Sequence, residues 1–204
     1  ALGPRNAYCS PKFCKPGDKI IITKGPAIEA TGIFAAMFPQ KIQKKFGAKF
    51  RKEAEKVFYQ MSIVDDARIA ASGGTRDHGV AAMHDATEYG IWGGLHELGQ
   101  AARLGLVVHQ DEIVVHPVVK DICKMFKIDP YSSISEGTLI AIVRPHAAND
   151  VLHRLEDHGI AASICGEMTD ESDGIQVVQK GKKRPLEHPG IDPFWGAFYK
   201  ALKT

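Results

Sequence analysis

The chain reads as an α+β protein, a mixed β-sheet with helices packed on its faces. Three observations predict this. Short apolar runs of strand length alternate along all 204 residues with amphipathic stretches at helical spacing, and such alternation is satisfied by helices covering a sheet. The apolar run Val80–Met83 leads through a polar turn into a glycine-spaced helix, a strand–turn–helix unit at the centre of the chain. The composition is that of an ordinary globular domain, with 44% hydrophobic and 25% charged residues.

Charge and cysteine content exclude several classes. With 26 basic against 24 acidic side chains the formal charge is +2, too weak a field to argue for nucleic acid or a membrane surface. No run approaches the ~18 apolar residues of a membrane span, and the amino terminus lacks the build of a secretory signal, so a cytoplasmic location is expected. Cys9, Cys14, Cys123 and Cys165 are too sparse for a disulfide scaffold and have no metal-ligand spacing, so all four read as free thiols.

In chain order, Cys14-Lys15-Pro16-Gly17-Asp18 is turn chemistry and Lys19–Thr23 a short buried strand. Pro26 opens a helix through Ala27 to Phe38, expected to be broken by Gly32 and stopped at Pro39. Lys41, Lys44, Lys45, Lys49, Arg51 and Lys52 form a basic stretch, most of it on an amphipathic helix to about Tyr59 whose inner face is Phe46, Phe50, Ala54, Val57 and Phe58. Ser62 caps a helix to Ala71, whose Asp65 and Asp66 complement the helix dipole. Residues 72–79 form a loop before the strand Val80–Met83.

Helical spacing of Leu95, Leu98, Ala102 and Leu106 follows. Gly105–His109 and Glu112–His116 read as strands and Pro117 to Lys127 as a helix. Thr138–Val143 is a buried strand, Ala147–Leu155 a helix closed by His158-Gly159, and Ala161–Glu167 and Ile175–Gln179 the last strands. The tail is a basic turn, Lys180–Pro185, and a terminal helix from Asp192 that buries Phe194, Trp195, Phe198 and Leu202. The strands Lys19–Thr23 and Val80–Met83 are expected side by side, with the Trp92–Leu104 helix on one face of the sheet.

The candidate site is the handover from strand to helix. A turn opening a helix points free N–H groups and the positive end of the helix dipole at one spot, while glycine permits close approach; this is the geometry of an anion site. The residues are Asp85, Thr87, Glu88, Gly90, Gly93 and Gly94, with sulfate, phosphate or a nucleotide phosphate as ligand and His96 on the helix body. The alternative is that Gly90, Gly93 and Gly94 let the helix pack tightly on the sheet. The segment has neither the Gly-Lys-Ser/Thr ending nor the dinucleotide glycine spacing. Asp85 and Glu88 repel a bare phosphate, so they require magnesium or another cation between.

The stretch His84-Asp85-Ala86-Thr87-Glu88-Tyr89-Gly90-Ile91-Trp92-Gly93-Gly94-Leu95 resembles the Asp-x-Thr-x-x-Gly…Gly-x-Leu signature of the carboxy-terminal domain of the aminoimidazole ribonucleotide (AIR) synthetase superfamily. Pro16-Gly17-Asp18, Ile128-Asp129-Pro130, Ser135-Glu136-Gly137-Thr138-Leu139 and Ile164-Cys165-Gly166-Glu167 fit the same domain. The resemblance is nearest the hydrogenase-maturation branch. It implies three segments: 1–15 as the end of a preceding amino-terminal ATP-binding domain, 16–180 as the carboxy-terminal domain, and 181–204 as a terminal appendage. It further implies ATP and magnesium as the family's cofactors, a small phosphorylated molecule or nucleotide as ligand, that amino-terminal domain as a partner, and a homodimer.

Departures narrow what is carried over. Asp85–Gly90 stands where the cyclo-ligase has His-Ile-Thr-Gly-Gly-Gly, and the chain ends Ala201-Leu202-Lys203-Thr204 where the hydrogenase branch ends in cysteine. The function expected is completion of a phosphate- or nucleotide-binding site in an ATP-dependent synthetase or maturation factor. The alternative is a non-catalytic ligand-binding or assembly module.

Overall fold

A computed structural model describes residues 7–203. Among them, seven strands join in one mixed sheet of order β2-β4-β1-β5-β3-β6-β7. In chain order these are β1 (Lys19–Thr23), β2 (Val80–Asp85), β3 (Gly105–His109), β4 (Leu139–Val143), β5 (Ala162–Thr169), β6 (Ile175–Gln179) and β7 (Lys182–Pro185). Neighbours are antiparallel except β3 and β6. The helices are α1 (Ile28–Met37), α2 (Pro39–Phe46), α3 (Ala48–Val57), α4 (Val64–Ala71), α5 (Gly90–Ala102), α6 (Pro117–Phe126), α7 (Ala148–Asp157) and α8 (Pro193–Leu202).

β4 lies between β1 and β2, so the two strands expected side by side are separated. The physical reason is composition. Leu139-Ile140-Ala141-Ile142-Val143 is buried at every position, as a strand covered on both faces must be, and it therefore takes an interior place. Successive side chains of β1 point to opposite faces: Ile20 and Ile22 pack with Ile140 and Ile142 under α5, while Ile21 packs with Ala141 and Val143 under α4 and α7. A separate apolar cluster joins α1, α3, α6 and α8 around Phe34, whose ring stacks on Phe126 at 3.8 Å and meets Phe194 at 5.0 Å.

Other expectations change in detail. Gly47, at φ 89°, splits the expected long basic helix into α2 and α3. Residues 113–116, expected as part of a strand, run unpaired into α6, and Lys182–Pro185, expected as a turn, pairs with β6. Of the four residues expected inside on α8, Phe194 is buried and Phe198 packs beside it, whereas Trp195 and Leu202 are 42% and 52% exposed and Ala201 is buried in addition. Phe58, placed on the inner face, is 39% exposed.

Two buried ion pairs fix the frame. Arg144, after β4, binds Asp18 at 2.6 Å and donates to the carbonyls of Phe13 (2.7 Å) and Arg76 (3.1 Å). Lys24, after β1, binds Asp66 at 3.0 Å, and Thr23 donates to the same carboxylate at 2.6 Å. Asp66 therefore holds the end of β1, beyond its place in the first turn of α4. Its spacing of four from buried Ala70 puts it on the inner face of that helix.

Candidate functional site

β1, β2 and β3 run in one direction, since each is antiparallel to a shared neighbour, so their carboxy-terminal ends lie along one edge of the sheet. At that edge the turn Ser135–Thr138 stitches β2 to β1 and α1. Ala86 N–H donates to Thr138 O (2.9 Å), Ser135 N–H to Thr87 O (3.1 Å) and Gly137 N–H to Asp85 Oδ1 (3.1 Å). Thr138 Oγ1 donates to Gly25 O at 2.6 Å, and Ser135 Oγ accepts from Ile28 N–H at 3.3 Å.

The chain then turns through two left-handed residues, Tyr89 (φ 62°) and Gly90 (φ 58°), to start α5. Gly90 is required twice over. Its φ disfavours a side chain, and a Cβ there would stand 2.5 Å from Ser133 O and 2.8 Å from Tyr131 O. Gly93 and Gly94 are buried; a Cβ on the first would meet Tyr89 Cβ at 2.6 Å, and on the second Ile140 Cδ1 at 2.9 Å. These two glycines seat the helix on its own turn and on the sheet. Thr87 and Glu88 are exposed at the tip, and Asp85 is half-buried at the strand end.

An anion already stands at the helix start, and it belongs to the chain. Asp192 Oδ2 accepts from Tyr89 N–H at 2.9 Å while Oδ1 accepts from Phe194 N–H at 2.9 Å, so one buried carboxylate caps the starts of α5 and α8 together. Burial raises its pKa, and the donated backbone hydrogens pull the other way. The segment between β7 and α8 is strapped over α5. His96 bonds Leu186 O through Nε2 at 2.6 Å, burial holding its pKa below the usual histidine value, and the His188 ring stands edge-on to Tyr89 at 4.7 Å.

The field at the rim is acidic. Glu29 accepts from Glu136 N–H at 3.1 Å, and burial, reinforced by Glu136, Asp85 and Asp192, raises its pKa. Burial likewise raises that of Asp85, with Glu136 adding to it. Lys24 is the cation that acts on Asp85, while Arg184 borders a separate hollow of about 540 Å3 lined by Trp92, Asp129, Ser132, Leu186 and Glu187. Its floor is Trp92 stacked on Tyr131 at 4.9 Å. A larger cleft lies elsewhere, about 1010 Å3 between Lys24, Asp66, Arg68, His116, His158 and Ile160.

Of the sequence-predicted site, Asp85, Thr87, Glu88 and Gly90 come together at the handover, with Gly93 and Gly94 one turn into the helix. Asp192 and Glu29 were missed. Asp192 carried a visible signal as the cap before Pro193, but its second partner is 103 residues away and invisible in sequence.

Residues 15–179 match the model of the family described as AIR synthase related protein, C-terminal domain. The chain belongs to this family. The carbamoyl dehydratase HypE of Escherichia coli (strain K12) is 32% identical over 118 residues, which cover 56% of this chain and 35% of that protein. The crystal structure of E. coli HypE, a hydrogenase maturation protein, superposes with TM-score 0.73 at 22% identity, covering 93% of this chain and 55% of the other. A HypE structure in complex with ATP gives TM-score 0.66 at 19% identity, over 91% of this chain and 55% of the other. The chain thus spans about half the length of these solved structures, and it shares their carboxy-terminal fold.

Proposed function

We propose that this chain is the carboxy-terminal domain of an ATP-dependent maturation factor or synthetase, and that the handover from Asp85 to Gly94 completes a phosphate- or nucleotide-binding site. The observation that carries this reading is the anion at the start of α5. The helix start holds the Asp192 carboxylate through Tyr89 N–H, so its field and donors are turned toward negative charge. Beside it the exposed Thr87 hydroxyl is a donor for a phosphate oxygen, Lys24 acts as a counter-charge on Asp85, and a hollow bordered by Trp92 and Arg184 lies along the same helix start. The structures similar in fold include one of HypE bound to ATP, which is consistent with a nucleotide as ligand.

The acidic rim sets the condition. Asp85 and Glu29 each use one carboxylate oxygen on a backbone N–H, and burial raises both pKa values, with the Glu136 charge adding to each. Among the described residues no three His, Cys, Asp or Glu side chains are arranged to hold a metal by themselves. Magnesium is commonly held by one or two carboxylates together with phosphate oxygens and water, so the pair fits it only alongside a phosphorylated ligand. Bound there, magnesium would screen the carboxylates from the phosphate. Thr87 would orient the phosphate, and Trp92 and Tyr131 would close the site from below.

A second reading, a non-catalytic assembly module, is favoured by one observation: Asp192 fills the helix start from within. Calorimetry separates the two. Mg-ATP is expected to bind the chain and to lose roughly tenfold in affinity on Asp85→Asn, with a smaller loss on Thr87→Ala. Absence of binding at millimolar Mg-ATP favours the assembly module.

A further inference from the structure

The basic stretch of the sequence takes no part in the site at the start of α5. Pro39–Val57, the whole of α2 and α3, carries seven basic and two acidic side chains. That is a local charge of +5 in a chain of total +2, so the rest of the molecule is net acidic. Both acids are taken within α3, Glu53 by Lys56 at 2.9 Å and Glu55 by Arg51 one turn away. Lys41 turns back to Ala201 O at 2.7 Å. Lys44, Lys45, Lys49 and Lys52 are left, all exposed, and none of them is in an ion pair among the described residues.

The turn between the helices gathers these charges on one surface. Gly47, at φ 89°, bends the chain, and Phe46 stacks on Phe50 at 4.4 Å beneath the bend. Lys44 and Arg51 thereby meet over a hollow of about 500 Å3 that Pro39, Gln40 and Gln43 complete. Lys49 and Lys52, three residues apart, lie on one face of α3, a like-charge spacing that costs helix stability until an anion lies across it.

Charge complementarity selects the carboxylates of a protein over a nucleic acid. Phe46 and Phe50 stack on each other and are half-buried, so α2 and α3 offer no free aromatic face to a base. The net acidic remainder of the molecule repels a polyanion that runs beyond these two helices, about 12 and 15 Å long, whereas a short acidic segment ends within the face. Met37, 52% exposed beside the start of α2, adds a flexible apolar contact that a polypeptide can use and a phosphate backbone cannot. From these observations we infer that the outer face of α2 and α3 is a docking surface for an acidic segment of a partner protein.

Fluorescence anisotropy of a fluorescein-labelled, glutamate-rich peptide titrated with the 204-residue chain tests this, with far-ultraviolet circular dichroism to confirm folding. The wild type is expected to bind saturably, with an affinity that falls as salt rises. Lys44→Glu/Lys49→Glu, at exposed positions, is expected to weaken binding roughly tenfold, while the matched reversal Lys182→Glu/Lys183→Glu on exposed β7 leaves it within about twofold. Absence of binding at low salt overturns the inference, as do equal losses in the two variants. Tighter binding of single-stranded DNA or of anionic phospholipid vesicles than of the peptide, lost in Lys44→Glu/Lys49→Glu, would assign the face to nucleic acid or lipid and overturn it too.

Discussion

Three glycines illustrate how one residue type serves different physical ends within five positions. Gly90 combines a left-handed φ with backbone carbonyls 2.5 and 2.8 Å from the place of its missing Cβ, and neither carbonyl can retreat without opening the Tyr131–Ser133 turn. Gly94 faces the tip of Ile140, a side chain that can change rotamer. Gly90→Ala is therefore expected to cost at least ~2–3 kcal/mol and Gly94→Ala less, measured by urea unfolding of each variant. Equal losses would mean that the turn yields as readily as the side chain. The same contacts explain why Gly93→Val and Gly94→Val make poor probes of ligand approach: the added carbons meet Tyr89 and Ile140 before any ligand. Sequence alone presented these glycines as both an approach for phosphate and a packing device. For Gly93 and Gly94 the contacts show packing.

At the scale of elements, local pattern was informative and pairing was not. Apolar runs and helical spacing made β1 to β6 and most of the helices legible as elements, because such patterns are local in sequence. That β4 separates β1 from β2 was hidden, since strand order depends on partners more than 50 residues apart. The exposed strand β7 was hidden for the opposite reason. Lys182-Lys183-Arg184-Pro185 has no buried face, and only the β6 ladder makes it a strand, its charges and proline suiting a sheet edge. Elements are tied at their ends by Arg144, whose guanidinium spans Asp18 and two carbonyls while 5% exposed. Arg144→Met removes one partner of a buried pair and leaves Asp18 uncompensated, an expected loss of about 3–5 kcal/mol in denaturant unfolding. A loss below 1 kcal/mol would show that water reaches Asp18.

For the whole molecule, the organisation follows from which ends of the sheet are left polar. The carboxy-terminal ends of β1 and β2, the turn Ser135–Thr138 and the start of α5 converge on one edge, which is why sequence stretches far apart in the chain all fit one family domain. The Asp85–Glu88 part of the site was legible because it is continuous in sequence. Glu29 and Asp192 reach it from two other elements, and no local pattern announces their meeting there. The central claim, that this edge receives a phosphorylated ligand at the start of α5, is tested most directly by amide-resolved NMR of the nitrogen-15-labelled chain titrated with Mg-ATP. The expected result is saturable shifts concentrated at Ala86–Trp92, at Gly137 and in the Trp92 indole, strengthened in Asp192→Asn, where the competing carboxylate is neutral. Shifts confined to the Lys24–Asp66 cleft, with Ala86–Trp92 unmoved in both proteins, would contradict it.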